Sequence, residues 1–314
     1  MVRDERKNKI INVIVYSLLT IFIIITISLN YISYKKYNKE IEHNILLNKD
    51  LSQAKEIYEE KLANNNNLKK EIEQLNHIDD NIVNIKKEVF ELAKQLEQKI
   101  KNNESNKKIA YLTFDDGPYY ATHDFLAVLD KYKVKATFFT INANGEKCYD
   151  NKTKNCHELY KKIVDKGHTI ANHTYYHSIF YGLYNSSNSL INQLKKQENL
   201  IKEKTNVTTN IFRFPGGSSS AKAYGVFNSA IVELRKMNYG WVDWTASNGD
   251  GLNIKDVNKA LENFKNSINE DIEVVLFHDY SRVTLSMLPE AIEYLENNNY
   301  IILPLFYDSI MVNK

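Results

Sequence analysis

Three regimes of hydrophobic and polar patterning follow one another along the chain. The first is the run from Ile10 to Leu29 (IINVIVYSLLTIFIIITISL), which carries no charge and has about the length at which a helix crosses the roughly 30 Å hydrocarbon core of a bilayer. Arg3, Arg6, Lys7 and Lys9 precede it. The positive-inside tendency then assigns residues 1–9 to the cytoplasm, residues 10–31 to a membrane anchor, and everything after it to the outside. The run exceeds a usual signal-peptide apolar region and no A-x-A-like site follows, so it reads as a retained anchor rather than a cleaved leader.

The second regime, residues 32–106, is rich in Lys, Glu, Asn and Gln. Leu68, Ile72, Leu75, Ile82, Ile85, Val89, Leu92, Leu96 and Ile100 recur there at steps of mostly three and four residues. Such a seam belongs to a coiled coil or a long amphipathic helix. Ile78 disturbs the repeat and Asn64 to Asn67 interrupts it. A helical stalk of this length extends on the order of 100 Å at 1.5 Å per residue. A single helix and a homodimer through the stalk both fit the pattern.

The third regime, residues 107–314, alternates short β-branched or apolar runs with helical periods. Strands are expected at Ile109–Phe114, Ala136–Ile141, Thr169–Asn172, Ile211–Phe214, Tyr239–Asp243, Glu273–Phe277 and Tyr300–Leu303. Helices are expected near Thr122–Tyr132, Cys156–Lys166, Ser189–Glu203, Val226–Met237, Ile254–Ser267 and Leu285–Asn297. That order predicts parallel strands with crossover helices, and seven strand candidates favour an incomplete, (β/α)7-type barrel. In such folds functional side chains collect at the C-terminal ends of strands. Asp115 and Asp116, His173, Arg213, Asp243 to Asp250, and His278 all follow directly on expected strands.

Composition narrows the classes. A formal net charge of +2 without a basic stretch interleaved with aromatics excludes a nucleic-acid partner. The two cysteines, Cys148 and Cys156, match no zinc-ribbon or Cys-x-x-Cys spacing, and leave a local disulfide or two free thiols open.

The chemistry lies in five strings. TFDDGP holds Asp115 and Asp116, adjacent carboxylates that repel unless a cation or an arginine compensates them. NHTYYH holds His173 and His177 four residues apart, a spacing that on a helical turn faces both imidazoles to one side for a metal. With Asp116 they make a three-ligand set that suits zinc and leaves positions open for water and substrate. FRFPGGSSS supplies Arg213, able to hold a carboxylate, and glycines whose N–H groups can approach a substrate oxygen; by itself it also reads as a surface loop. VVLFHD ends in His278, a potential acid, with Asp243, Asp250 and Asp279 as candidate partners. His168 reads as structural, and His123 and His157 as polar residues at helix starts.

Together TFDDGP, HTYYH, RFPGG, DWTASNGD and LFH resemble, in order, the five motifs of the polysaccharide deacetylases of carbohydrate esterase family 4, the NodB-homology domain, over about Ile109 to Leu305. The resemblance implies a distorted NodB-like barrel and a divalent metal, Zn2+ first, with Co2+ or Ni2+ as substitutes. It makes Asp115 the catalytic base, Asp116, His173 and His177 the metal ligands, and Arg213 the residue orienting Asp115. His278 becomes the general acid tuned by Asp250, and Pro215, Gly216 and Gly217 the oxyanion and substrate turn. Two positions depart from the family pattern: Gly216 stands where many members have tyrosine, and Gly251 where many have tryptophan. The implied reaction is hydrolysis of N-acetyl groups on a polysaccharide, and an anchored outward-facing domain points to N-acetylglucosamine of peptidoglycan. N-acetylmuramic acid, poly-N-acetylglucosamine, chitin-like polymers and xylan stay open as alternatives, as does a silent glycan-binding role.

Overall fold

The computed structural model describes residues 78–142 and 156–314. The expected anchor and most of the expected stalk lie outside the described residues, among which no helix is long and apolar enough to cross a membrane. The chain divides into two compact units, Met1–Val89 and Phe90–Lys314. The described part of the first is the start of helix α1 (Ile78–Lys101).

Within the second unit, α1 buries Ala93, Glu97 and Ile100 while Leu92 is 48% exposed. This buried face meets the expected seam at Ile100 and is offset from it by one residue at Ala93 and Glu97. Phe90 stacks on Phe306 at 4.9 Å. Glu97 accepts from the Tyr111 hydroxyl and from the Ile310 N–H at 2.9 Å, so its carboxylate is tied to the first strand and the C-terminal tail. Burial raises the Glu97 pKa above the usual range.

Among the described residues eight strands follow: β1 (Lys108–Gly117), β2 (Thr137–Thr140), β3 (Thr169–Asn172), β4 (Ile211–Phe212), β5 (Gly240–Trp241), β6 (Ala246–Ser247), β7 (Ile272–His278) and β8 (Tyr300–Leu303). The helices among them are α2 (Thr122–Tyr132), α3 (His157–Asp165), α4 (Ser187–Thr205), α5 (Gly217–Ala223), α6 (Phe227–Lys236), α7 (Val257–Ser267) and α8 (Arg282–Asn297). The sheet runs β5-β4-β3-β2-β1-β7-β6, with β8 added on β1, and its pairs are parallel. Its ends, β5 and β6, are not joined, which makes it a curled half-barrel. Seven strands match expected runs; the eighth, β6, is two residues in TASNGD, too short and too polar to register as a period. Helix α5 was likewise hidden in GSSSAKA, which reads as a loop.

Strand β1 is the spine. It pairs with β7 along Ile109–Asp115, and on its other edge with β8 at Lys108–Tyr111 and with β2 from Thr113 onward. Phe114 is fully buried, stacked on Phe138 at 5.0 Å and edge-on to Phe125 at 5.2 Å. A spine flanked on both sides and packed with aromatics cannot slip in register, so Asp115 and Asp116 at its C-terminal end are held firmly. Cys156, before α3, is disulfide-bonded, and the sequence holds one other cysteine, Cys148.

Candidate metal centre and active site

In a regular strand Asp115 and Asp116 would project to opposite faces. Pairing of β1 with β2 shifts register between Asp115 and Gly117, and Asp116 adopts φ +71°. This bulge turns the second carboxylate toward the same end of the sheet as the first. The turn is tight: a β-carbon on Gly117 would lie 2.0 Å from Asp279 Oδ2. Asp279 is fully buried, accepts from the Thr122 hydroxyl, and has its pKa raised to about 7 by burial first. It braces the turn and does not partner His278.

His173 follows β3 and His177 lies four residues on. The expected helical turn is not there: Thr174 and His177 have φ of +69° and +49°, and the segment is irregular. The imidazoles still converge, with centroids 4.9 Å apart, because the left-handed residues fold the chain back over itself. The cause is local: Asn172 Oδ1 accepts from the Thr174 N–H at 3.0 Å and Thr174 Oγ1 from the His177 N–H at 3.2 Å.

Asp116 Oδ1 is 3.5 Å from His173 Nε2 and 3.4 Å from His177 Nε2, and is buried without a hydrogen-bond partner. A buried carboxylate oxygen facing two imidazole nitrogens, all within 4.8 Å, is a donor set that fits a divalent cation. Burial, then the neighbouring His177, lowers the His173 pKa well below the usual range, which keeps its ring neutral. Its Nδ1 is 2.8 Å from the Arg213 carbonyl, a contact that leaves Nε2 as the free ligand atom.

Arg213, just past β4, is fully buried. Its Nη1 donates to Asp115 Oδ1 at 2.8 Å and to Thr113 Oγ1 at 2.7 Å. Its Nε reaches the Val242 carbonyl at 3.2 Å and its Nη2 the Asp243 carbonyl at 3.0 Å, while the guanidinium lies over Phe139, 4.2 Å from the ring centroid. Burial raises the Asp115 pKa, and Arg213 is the largest influence lowering it. Asp115 Oδ2 is left facing His173 Nε2 at 3.6 Å, which puts it beside the candidate cation position with one oxygen clamped and one available.

His278 ends β7. Its Nδ1 is 2.7 Å from Asp250 Oδ1, and its N–H donates to Asp250 Oδ2 at 2.9 Å. Thr284 Oγ1 donates to the same Oδ2 at 2.6 Å, and the Asp250 N–H donates to Asn248 Oδ1 at 3.1 Å. Burial opposes a charge on His278, but Asp250, followed by Asp116 and Asp115, outweighs it and raises the pKa to about 9. The opposite nitrogen, Nε2, faces Asp116 Oδ2 at 3.9 Å. Of the three candidate partners, Asp250 therefore holds His278. Asp243 does something else: it accepts from the Ser218 N–H at 2.9 Å and from the Ser218 hydroxyl at 2.5 Å, pinning the turn at the start of α5.

That turn contains Pro215, Gly216 and Gly217. The Pro215 carbonyl accepts from Tyr184 Oη at 2.7 Å, and the Gly217 N–H donates to the Phe214 carbonyl at 2.8 Å, so Gly217 shapes the turn and is not a free donor. Gly251 sits against His278: a β-carbon there would be 3.1 Å from Cε1, leaving little room for a tryptophan. Aromatic surface near the centre comes instead from Tyr119, Tyr120 and Tyr280, which with Asp116 line a cavity of about 370 Å³. Tyr280 packs 5.1 Å from His278 and 5.5 Å from Tyr119. Thr113, Asn248, Thr284 and Tyr280 were missed by sequence reasoning, since each acts on a residue reached through the fold, and Asp279 was named only as a possible partner of His278. His168, read as structural, is buried and accepts from the Ala136 N–H at 3.1 Å.

The family model for polysaccharide deacetylase matches residues 102–233. A peptidoglycan-N-acetylglucosamine deacetylase of Bacillus cereus is 30% identical over 203 residues, 63% of this chain and 69% of that protein. This chain belongs to the polysaccharide deacetylase family. The deacetylases of this family are metal-dependent hydrolases that act on N-acetyl bonds. The catalytic domain of a peptidoglycan N-acetylglucosamine deacetylase from Eubacterium rectale superposes with a TM-score of 0.60 at 30% identity, over 66% of this deacetylase-family chain and 93% of that one. A bifunctional xylanase/deacetylase of Pseudobutyrivibrio xylanivorans is 30% identical over 200 residues, and there the match spans 63% of this chain but 30% of the relative's length.

Proposed function

We propose that this protein hydrolyses N-acetyl groups on an extracellular polysaccharide, N-acetylglucosamine residues of peptidoglycan first, with zinc at Asp116, His173 and His177. The observation that carries the reading is the convergence at one end of the sheet of three groups: the Asp116–His173–His177 ligand set, the Asp115–Arg213 pair and the His278–Asp250 pair. A surface cluster of polar residues would not bring a clamped base and a clamped acid beside one candidate cation position.

When bound, the metal would polarise the acetamide carbonyl and lower the pKa of a water. Asp115 accepts that water's proton at Oδ2, while Arg213 fixes Oδ1 and favours the ionised base. The Gly216 N–H is the donor for the carbonyl oxygen as charge develops on it. His278, oriented through Nδ1 by Asp250, which favours its charged form against burial, gives the Nε2 proton to the departing amine, leaving acetate and a glucosamine unit. Arg213 thus has two duties, one through its guanidinium on the base and one through its carbonyl on the His173 ligand.

The anchor expected at residues 10–31 supports an outward-facing domain at the cell membrane, where peptidoglycan is the polymer within reach of a stalk. The B. cereus and E. rectale relatives carry that substrate in their names; the P. xylanivorans relative carries xylan chemistry. Acetate release by the full chain from peptidoglycan, chitooligosaccharide and acetylated xylan, with chelator, with zinc restored, and with Asp115→Asn, tests the reading. Zinc-restorable release from a glucosamine polymer that Asp115→Asn abolishes is expected. Binding of glycan without release from any of the three, across zinc, cobalt and nickel, would refute it.

A further inference from the structure

The glycine turn beside the candidate active site is flanked by Ile179 on one side and Trp244 on the other. A β-carbon at Gly216 would lie 3.2 Å from Ile179 Cδ1, and one at Gly217 3.0 Å from Trp244 Cη2. Ile179 opens a short 3-10 turn, Ile179–Tyr181, that begins two residues after His177. Its other two residues, Phe180 and Tyr181, are 88% and 91% exposed. Trp244, on the far side of the glycines, is 36% exposed.

These rings are presented on a fixed support. The Tyr181 N–H and the Leu183 N–H both donate to the Ser178 carbonyl, at 3.0 and 3.2 Å. Leu183 and Tyr184 are buried, Ile179 packs against the same apolar cluster, and the Tyr184 hydroxyl is bound to the Pro215 carbonyl. Two adjacent aromatics held almost wholly in water by a packed turn form an apolar surface that calls for a partner. The turn's sequence, SIFYGLYN from Ser178 to Asn185, has no charged side chain, whereas recognition of anionic lipid uses clustered Lys and Arg. A neutral partner with an apolar face and polar edges fits, and a pyranose ring has that character.

We propose that Phe180 and Tyr181, continued across Gly216–Gly217 by Trp244, form a stacking track for sugar units of the polymer on either side of the one being deacetylated. The proposal rests on the deacetylase reading for the unit in the centre. Its consequence is a preference for long glycan strands over single repeats, set outside the catalytic groups chiefly by Phe180 and Tyr181, which belong to none of the five motifs; Trp244 lies in the fourth, DWTASNGD.

The test compares the full chain with Phe180→Ala/Tyr181→Ala on intact peptidoglycan sacculi and on the disaccharide released from them, together with retention on sacculi in an Asp115→Asn background. The expected result is a fall of about tenfold in the ratio of kcat/KM for sacculi to that for disaccharide, carried by KM, with reduced retention. An unchanged ratio with unchanged retention overturns the proposal. So does a variant whose defect appears only in sedimentation, which marks a contact between copies, or only in retention on phosphatidylglycerol vesicles, which marks a lipid face. If the parent protein releases no acetate from either substrate, the deacetylase reading fails, and retention alone then decides the track: loss in the double variant supports it, equal or absent retention overturns it.

Discussion

Replacing Arg213 by methionine removes the group on which most of the site's buried polarity converges. The substitution keeps an unbranched side chain of comparable reach beneath Phe139 but deprives Asp115 Oδ1, Thr113 Oγ1 and the carbonyls of Val242 and Asp243 of their donor. Arg213 is 0% and Asp115 3% exposed, so water does not replace it freely. Removing one partner of a buried ion pair costs about 3–5 kcal/mol, a large part of the roughly 5–15 kcal/mol that holds a domain together. Since burial already raises the Asp115 pKa and Arg213 is the chief opposing influence, the variant also moves that pKa further up and weakens the base. Urea unfolding at pH 7 of Arg213→Met, Asp115→Asn and the double variant forms a cycle that isolates the pair. If the cost arises from a stranded carboxylate, Arg213→Met is less damaging in the Asp115→Asn background, with a coupling of roughly 1–3 kcal/mol. Equal costs in both backgrounds would refute the reasoning and assign the guanidinium's role to packing on Phe139 and the two carbonyls.

Two further expectations follow from the neighbouring contacts. The His278 pKa of about 9 lies above its ordinary value near 6.5, so stability from the His278–Asp250 pair is full below about pH 6.5 and is lost as pH rises through about 9. Asp250→Asn removes the leading cause that raises it, and the imidazole titration of the metal-free protein, followed by NMR, moves down from near 9; a midpoint that stays near 9 contradicts this. Gly117→Ala places a β-carbon 2.0 and 2.5 Å from the Asp279 oxygens, with a cost of about 1–3 kcal/mol for overpacking and displacement of Asp116. Adding Asp279→Ala restores part of the lost thermal stability, and a Gly117→Ala protein as stable as the parent would show that the turn yields easily.

Much of the fold was written in local patterns. The buried strand at Ile109–Phe114, the helix at Thr122–Tyr132 and the last strand at Tyr300–Leu303 stand close to where periodicity set them, because each buries a regular apolar stripe and ends at turn residues. The side chains at the strand ends were legible for the same reason: Asp115, Asp116, His173, Arg213 and His278 are each fixed by one strand, and a parallel sheet gathers those ends on one side. β6, two residues in a polar string, and α5, a seven-residue Gly/Ser-rich helix, carry no apolar period and were missed, whereas the equally short β4 and β5 sit within longer apolar runs.

What the sequence determined alone is the inventory of chemical groups and the strand that carries each. Tertiary structure decided their directions and partners. The bulge at Asp116 puts two neighbouring carboxylates in one site where a plain strand would separate them. Left-handed Thr174 and His177 bring two imidazoles together without a helix. Asp250 rather than Asp279 holds His278 because the 3-10 turn after β6 reaches Nδ1 while Asp279 turns inward to Thr122. Spacing along a chain fixes which face of a regular element a residue occupies. A bulge, a positive φ or a contact between residues 98 apart, as for Arg213 and Asp115, depends on backbone departures and long-range packing that no local period encodes.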